Sequence, residues 1–525
     1  MTTPSLLLLL ACGGEPGTKS DSATEPAVWS APPTPDFDMI EVASWTQEEL
    51  PTGDLPQGAQ PGVALGDLDG DGWLDAVMAY AGGSIGLRND GTGGLVVDAG
   101  ISMDGGPLPG GMAIALADLD GDGDLDGHLG RWGAVDLLLW NDGTGAFRGE
   151  PLPGSEGATY SGSFADIDGD GDLDLLIAAG AYALAVDDIL SGRERGDPNL
   201  VYRNEGGRFT QIVDALPQVG IDGITFHLAP LDADDDGDID VYVANDAGPF
   251  VERNHLLLND GTGHFTDAPE ASGANLVMLA MGAAMGDANQ DGLVDIYLSN
   301  VGPPRLLLNL GGGAFAEAAE ARGCAIPPLP ESLISWGTAF LDVDADFDHD
   351  LVVTFGAGGD QTKLDAVNPA WRQSTEQPSQ WLVSDGLGTF ARAPAPSFVD
   401  PGRTRAVAVG DLDRDGRPDV LTAGKHFLRQ WRNVGGFEPG VTLRLQGEPA
   451  NPHGLGARID VTIDGVTRTT WAWPSTTASS SAPEWYLGLA DRDRADRIVI
   501  TWPDGAVTEA EDVPRGEFLM ARGEP

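Results

Sequence analysis

The feature that most constrains this chain is a nine-residue acidic word, D-L-D-G-D-G-D-L-D from Asp118 to Asp126. Close copies begin at Asp67, Asp166, Asp232, Asp287, Asp342 and Asp411, so seven copies stand 48 to 69 residues apart. A period of that length marks an array of supersecondary units, each too small to bury its own apolar face. Every copy places an oxygen-bearing side chain at positions 1, 3, 5 and 9. The sets are Asp67, Asp69, Asp71 and Asp75; Asp118, Asp120, Asp122 and Asp126; Asp166, Asp168, Asp170 and Asp174; Asp232, Asp234, Asp236 and Asp240; Asp287, Asn289, Asp291 and Asp295; Asp342, Asp344, Asp346 and Asp350; and Asp411, Asp413, Asp415 and Asp419. Four hard ligands within nine residues form the donor set of calcium. Without a cation they repel one another and are driven toward protonation. Asp-Gly pairs also mark turns, but turn chemistry accounts for one or two copies, not for a fixed grammar in all seven.

Between the acidic words the signals keep one order. A short apolar run (Ala113 to Ala117) precedes the loop, and runs at Leu125 to Leu129 and Val135 to Trp140 follow it. A turn at Asn141-Asp142-Gly143-Thr144-Gly145 then leads to a fourth run starting at Phe147. Related turns begin at Asn89, Asn204, Asn259, Asn309, Ser384 and Asn433. Asn-Gly and Asp-Gly clusters between apolar runs are hairpin signals, because these residues tolerate positive φ. Four short strands in each of seven repeats predict an all-β fold, a seven-bladed β-propeller. An EF-hand would need flanking helices and a Glu at position 12, where this chain has Met78, Leu129, Ile177, Val243, Leu298, Val353 and Thr422. A calcium β-roll repeats every nine residues or so, far below this spacing.

These units resemble the FG-GAP/VCBS repeats of integrin α-chain propellers and of many bacterial surface proteins. The resemblance covers roughly residues 61 to 440. It implies that each loop joins the first two strands of a blade and holds calcium through positions 1, 3, 5 and 9 plus the main-chain carbonyl at 7. Up to seven calcium ions are therefore expected. Asn289 weakens the fifth loop by one charge. Phe347 stands where the other loops carry Gly, at a cost on the order of 1–2 kcal/mol in a left-handed turn, so the site at Asp342 is expected to be the weakest or empty. Arg414 and Arg417 are expected to lower the affinity of the seventh.

In a four-stranded meander the acidic loops and the Asn turns share one face. The longest insertions, Gly180 to Asn199, Asp246 to His255 and Gly356 to Gln380, fall on the other. Long loops on a rigid scaffold are where recognition is usually placed, and these offer Tyr182, Arg193, Arg195, Phe250, Trp371, Arg372 and Trp381. The segment Phe37 to Ala43 matches the outer-strand pattern Phe265 to Ala271 and is expected to latch the ring.

The acidic grammar stops near Val441. Asn451 to Arg458, Tyr486-Leu487-Gly488-Leu489 and Ile498 to Gly505 resemble the ASPIC/UnbV domain, and alternation at Ile459, Val461, Ile463 and at Ile498, Ile500, Trp502 makes it a small β-unit. His453 has no Cys, Asp or Ser spaced with it as a partner and is read as a turn histidine. At the other end, Leu9-Leu10-Ala11-Cys12 resembles a bacterial lipobox after a short apolar run, although Met1 to Ser5 carry no Lys or Arg. That resemblance implies acylation of Cys12. The expected domains are thus 1–12 signal peptide, 13–35 tether, 36–440 propeller and 441–525 C-terminal β-domain. Cys324 is then unpaired and is expected to pack as a small hydrophobe.

With 82 acidic against 29 basic residues and a net charge of −53, the chain is unsuited to nucleic acid, which needs clustered Lys and Arg. No H-E-x-x-H, nucleophile elbow or phosphate-cradling loop is present. The expected function is a calcium-stabilised scaffold of the bacterial envelope, lipid-anchored or secreted, that binds an extracellular or envelope protein or glycan. A polysaccharide hydrolase or lyase using the insertion face is the alternative.

Overall fold

The computed structural model describes residues 38–46, 60–180, 191, 195–217, 223–326, 333–356, 365, 377–393, 403–424 and 427–523. Cys12, the tether, and Phe37, Tyr182, Arg193, Trp371 and Arg372 lie outside the described residues.

Each acidic word sits between the first two strands of an antiparallel meander. In blade one the strands are Gly62–Gly66, Asp75–Ala79, Ile85–Asn89 and Leu95–Val97. The first strands of blades two to seven are Ala113–Ala117, Thr159–Ala165, Ile224–Leu231, Ala280–Gly286, Ser335–Leu341 and Thr404–Gly410. First and second strands are buried along almost their whole length, whereas fourth strands such as Leu95–Val97 bury one face only. That gradient explains the continuous apolar runs before and after each loop: an inner strand is covered on both sides by neighbouring blades.

Packing between blades closes the ring. Val63, Leu65, Ala76 and Met78 of blade one share a core with Ala406, Ala408, Leu421 and Ala423 of blade seven, while Ala64 and Val77 pack on Ile114 and Leu129 of blade two. Met39–Thr46 supplies the outer strand of blade seven, paired antiparallel to Phe427–Asn433. First and last segments of the ring are thereby joined in one sheet, and an exposed edge is removed. Cys324 is buried, and burial pushes its thiol up to about 12.

The C-terminal residues form two sheets, Trp485–Leu487 with Val441–Gln446 and Gly516–Ala521, and Val466–Trp471 with Arg458–Ile463, Arg494–Thr501 and Val507–Pro514. Ile459, Val461, Ile463, Ile498, Ile500 and Trp502 all face its core. This domain stands on the acidic-loop face of the ring. Arg414 of loop seven pairs with Glu517 at 2.9 Å, Ala490 N–H donates to Ala345 of loop six at 2.8 Å, and Asp411 N–H donates to the Tyr486 hydroxyl at 2.6 Å.

From the same domain a hairpin, Ser475–Thr476 and Ser479–Ser480, enters the axis of the ring. Ser480 pairs in parallel with Ala64, Ile114 N–H donates to Ala478 O at 3.2 Å, and Thr476 donates to Val407 O at 2.9 Å. Ser475 Oγ lies 2.9 Å from Ser163 Oγ and 3.2 Å from His227 Nε2. Small hydroxyl side chains suit this position, because they satisfy inner-strand groups that have no blade neighbour on the axial side. The fit depends on two glycines. A Cβ at Gly62 would lie 2.1 Å from Ala478 O, and one at Gly282 would lie 2.1 Å from Thr477 Oγ1. Gly62→Ala and Gly282→Ala are each expected to destabilise the chain by about 1–3 kcal/mol through overpacking, read as a lowered urea midpoint. Unchanged midpoints in both would show that the hairpin is not seated there.

Candidate cation sites and the blade clasps

The loops are built by their own backbone. Position 1 accepts two N–H groups: Asp118 Oδ1 from Gly121 and Oδ2 from Gly123, both at 2.8 Å. Position 5 accepts from position 7, as in Asp124 N–H to Asp122 Oδ1 at 3.0 Å. The chain turns through two left-handed residues, positions 4 and 6, with φ of 77° at Gly121 and 97° at Gly123. Position 4 also accepts Asp235, Gln290, Ala345 and Arg414 at positive φ. Position 6 is Gly except at Phe347, whose φ of 78° is the strained conformation expected from the sequence.

Among the described residues, carboxylates lie within 4.8 Å of one another in threes in at least these loops: Asp67, Asp69 and Asp71; Asp118, Asp120 and Asp122; Asp166, Asp168 and Asp174; Asp232, Asp234 and Asp240; and Asp342, Asp344 and Asp350. In the fifth loop Asp287 accepts from Asp291 and Gly292, while Asn289 donates its amide to Asp291 at 3.0 Å. In the seventh, Asp411 accepts from Asp415 and Gly416. A hard divalent cation fits this donor chemistry: Asp234 keeps one buried oxygen without a donor, and Asp344 keeps two.

Position 9 has a second task that the sequence reading missed. Asp126 Oδ2 accepts the N–H of Leu119 at 3.1 Å, and its Oδ1 accepts the N–H of the turn residue Asn141 at 2.8 Å. Asn141 Nδ2 in turn donates to Leu68 O of the preceding blade at 3.0 Å. The same clasp joins Asn89 to Leu412, Asn204 to Leu119, Asn259 to Ile167, Asn309 to Ala233 and Asn433 to Val343. Blade six has Ser384 in place of Asn; its N–H still donates to Asp350 at 2.8 Å. The recurrence of Asn before each Gly turn was the available signal. Read only as a hairpin marker, it concealed a stitch between blades.

A second missed signal is Arg immediately before that Asn. Arg88, Arg203 and Arg432 pair with the position-3 carboxylates Asp69, Asp168 and Asp413 of their own blades. Each also donates to a carbonyl in the next blade's turn, at Thr144, Thr262 and Thr92. These three loops therefore carry a built-in cation. In loop seven Arg417 pairs with Asp415 at 2.9 Å, whereas Arg414 reaches away to Glu517. Trp381, expected on the insertion face, is instead 1% exposed within the core of blades six and seven. Its place on a third strand, between two blades, explains the difference.

Burial dominates the electrostatics. It pushes Asp75 up to about 6, Asp126 to about 7, and Asp174, Asp240 and Asp295 to about 8, against the N–H donors that favour ionisation. His453 is pushed down to about 4 by burial and is neutral.

Acid-lined loops at the hairpin ends of a closed set of small meanders define the class, an all-β repeat propeller with a β-domain appended. The chain belongs to the FG-GAP-like repeat family, whose profile matches residues 45–126, 129–177, 232–298, 287–353 and 370–422; the ASPIC and UnbV profile matches residues 447–522. It is similar to cartilage acidic protein 1 of Homo sapiens, 25% identical over 304 residues that make up 53% of this chain and 40% of that protein. The Xenopus tropicalis protein of the same name is 26% identical over 53% of this chain and 41% of its own length. The chain thus spans about two fifths of the curated relatives it matches. Among solved structures, the BP39L lectin from Burkholderia pseudomallei aligns at a TM-score of 0.45 with 13% identity, over 72% of this chain and 98% of that one.

Two outcomes follow from the clasp. Asp126→Ala strands two buried N–H donors and is expected to cost about 2–4 kcal/mol, with Asn141→Ala costing less; a denaturation midpoint unchanged in both would remove the clasp. In chelator, the raised position-9 values mean that stability is full below the ordinary aspartate value of 3.8 and is lost as pH rises through about 6 to 8. The melting temperature of the ion-free chain should therefore fall from about pH 5 to about pH 9, and added calcium should abolish the fall by favouring the ionised form.

Proposed function

We propose that this protein is an extracellular binding scaffold of the cell envelope, stabilised by calcium in its acidic loops, that recognises a protein or glycan through the face opposite those loops. The observation that carries the reading is the position of the C-terminal domain. It stands on the acidic-loop face over loops six and seven and enters the axis from that side, so the chain's own residues occupy part of the surface where the loops open. The insertion face is the broad face left to a partner.

On that face Arg195 is half-exposed and lies 3.7 Å from Glu252. Phe250 packs at the edge of an aromatic floor in which Tyr160 and Phe226 stand 4.2 Å apart and Arg405 lies 4.2 Å over Trp336. Tyr160, Phe226, Trp336 and Arg405 are buried and support the face from beneath; Phe250 and Arg195 are the side chains it offers to a partner. Membership of the FG-GAP-like repeat family and similarity to proteins named for cartilage support an extracellular setting. Among the described residues no helix is long and apolar enough to cross a membrane; attachment through Cys12 is part of the proposal.

Calcium has a structural part here, since an ion at 100 times its dissociation constant adds about 2.7 kcal/mol per site. The test is capture of ligands from a glycan array and of envelope proteins by calcium-loaded full chain. Arg195→Glu should weaken capture about tenfold while calcium content stays unchanged. Capture unaffected by Arg195→Glu but lost on changing the loop face would overturn the choice of face. Turnover of a polysaccharide panel would instead establish the hydrolase or lyase.

A further inference from the structure

The C-terminal domain rests on loops six and seven but only overhangs loops one and two. Loop two touches it at one edge, where a Cβ at Gly121 would lie 2.7 Å from Pro449 O. Beyond that edge ring and domain stand apart around a cleft of about 390 Å³, within the size range of small-molecule sites. On the ring side the wall is loop backbone at Gly70, Gly72 and Gly123. On the domain side it is the strand Val441–Gln446 and the turn after Asn451.

That turn is fastened so as to hold one side chain at the cleft. Asn451 accepts from Leu455 N–H and donates to Leu455 O, both at 2.8 Å. Gly454 is left-handed at φ 61°, and a Cβ there would lie 2.7 Å from the Trp502 ring. Pro452 and His453 are left on the cleft wall. Burial pushes His453 down to about 4, so the imidazole is neutral and carries one N–H donor and one acceptor nitrogen. Among the described residues neither ring nitrogen has a hydrogen-bond partner.

Arg444 lines the same cleft. Glu484, 9% exposed, accepts from Arg444 Nε at 2.8 Å and from the Tyr486 hydroxyl at 3.0 Å, which holds the guanidinium in place. Arg444 Nη1 lies 4.0 Å from Glu517, beyond hydrogen-bond distance, and keeps its N–H groups available. Gln446 is exposed and adds an amide that both donates and accepts. Pro452, Pro483 and Leu519, the last 57% exposed, give the cleft apolar surface.

Charge narrows what fits. Carboxylates of Asp67, Asp124 and Glu484 line the cleft and oppose an anion, while Arg444, the one charged base among the described lining residues, opposes a cation. Groups that donate and accept, set beside flat apolar rings, match a neutral polyol. Each of its hydroxyls gives one hydrogen bond and takes another, and its C–H faces lie on apolar surface.

We propose that this cleft binds the neutral end of a glycan, one or two sugar units, through hydrogen bonds from His453, Arg444 and Gln446 with the two prolines as platform. Glu484 is a positioning residue, acting through Arg444. The site draws on neither the insertion face nor a cation in the loops, so it stands or falls apart from the reading above.

The test is saturation-transfer difference NMR on the full chain in calcium buffer. Cellobiose, maltose, lactose and N,N′-diacetylchitobiose are the probes, and glucuronate and glucosamine the charged controls. At least one neutral disaccharide should bind with a Kd on the order of 1 mM, about tenfold tighter than either control. His453→Leu should weaken that binding about tenfold, and His453→Gln, which restores a donor and an acceptor, should recover most of it. Gln446→Ala, at an exposed position, should weaken it about threefold and carries the test should His453→Leu unfold. Three results each overturn the proposal: no binding of any of the four disaccharides, equal binding of a charged control, or binding unchanged in both His453→Leu and Gln446→Ala.

Discussion

The ring depends on one kind of contact, a buried carboxylate at position 9 that accepts two backbone N–H groups. One donor comes from its own loop and the other from the turn across the blade. That carboxylate fixes the loop against the turn, and the turn asparagine then fixes the blade to its predecessor. Apolar packing between blades is larger in total, but it is non-directional and tolerates sliding. A carboxyl group shared by two N–H donors does not. Register between neighbouring blades is therefore set by polar groups placed at the same end of every blade.

The same carboxylates make the arrangement expensive. Concentrating acids at one end of every blade raises their proton affinity and stores repulsion, and the chain relieves it in two ways. Loops one, three and seven bring an arginine from the residue before the turn. Loop two leaves position 3 and position 5 open to solvent. Loop six is covered instead, and its acids face the underside of another domain. The loops share a sequence grammar without sharing an environment, so equal affinity for a cation is not expected of them.

The C-terminal domain decides what the ring can present. By threading a Ser- and Thr-rich hairpin down the axis, it supplies hydrogen bonds to inner strands and reaches the first strand of blades one, two, three, four and seven. It also covers the loop face over loops six and seven. The orientation of any partner is thus constrained by an intramolecular contact made elsewhere in the chain.

The sequence by itself determined the repeat, its four-strand content, the loop and turn ends of each blade, the latch by the N-terminal strand and the alternating core of the C-terminal unit. Those features are local or periodic: a fixed spacing of Asp, Gly and Asn forces left-handed turns, and apolar runs of strand length need cover. Only the tertiary structure decided that Asn141 reaches Leu68, that Arg203 occupies loop three, that Trp381 is core, and that Gly488 closes on Asp342. The first two recur in several blades, but each joins groups brought together by packing rather than by their spacing along the chain. Which loop is sealed and which face stays open depends on where one domain settles on another, and that is a matter of shape complementarity rather than of any local propensity.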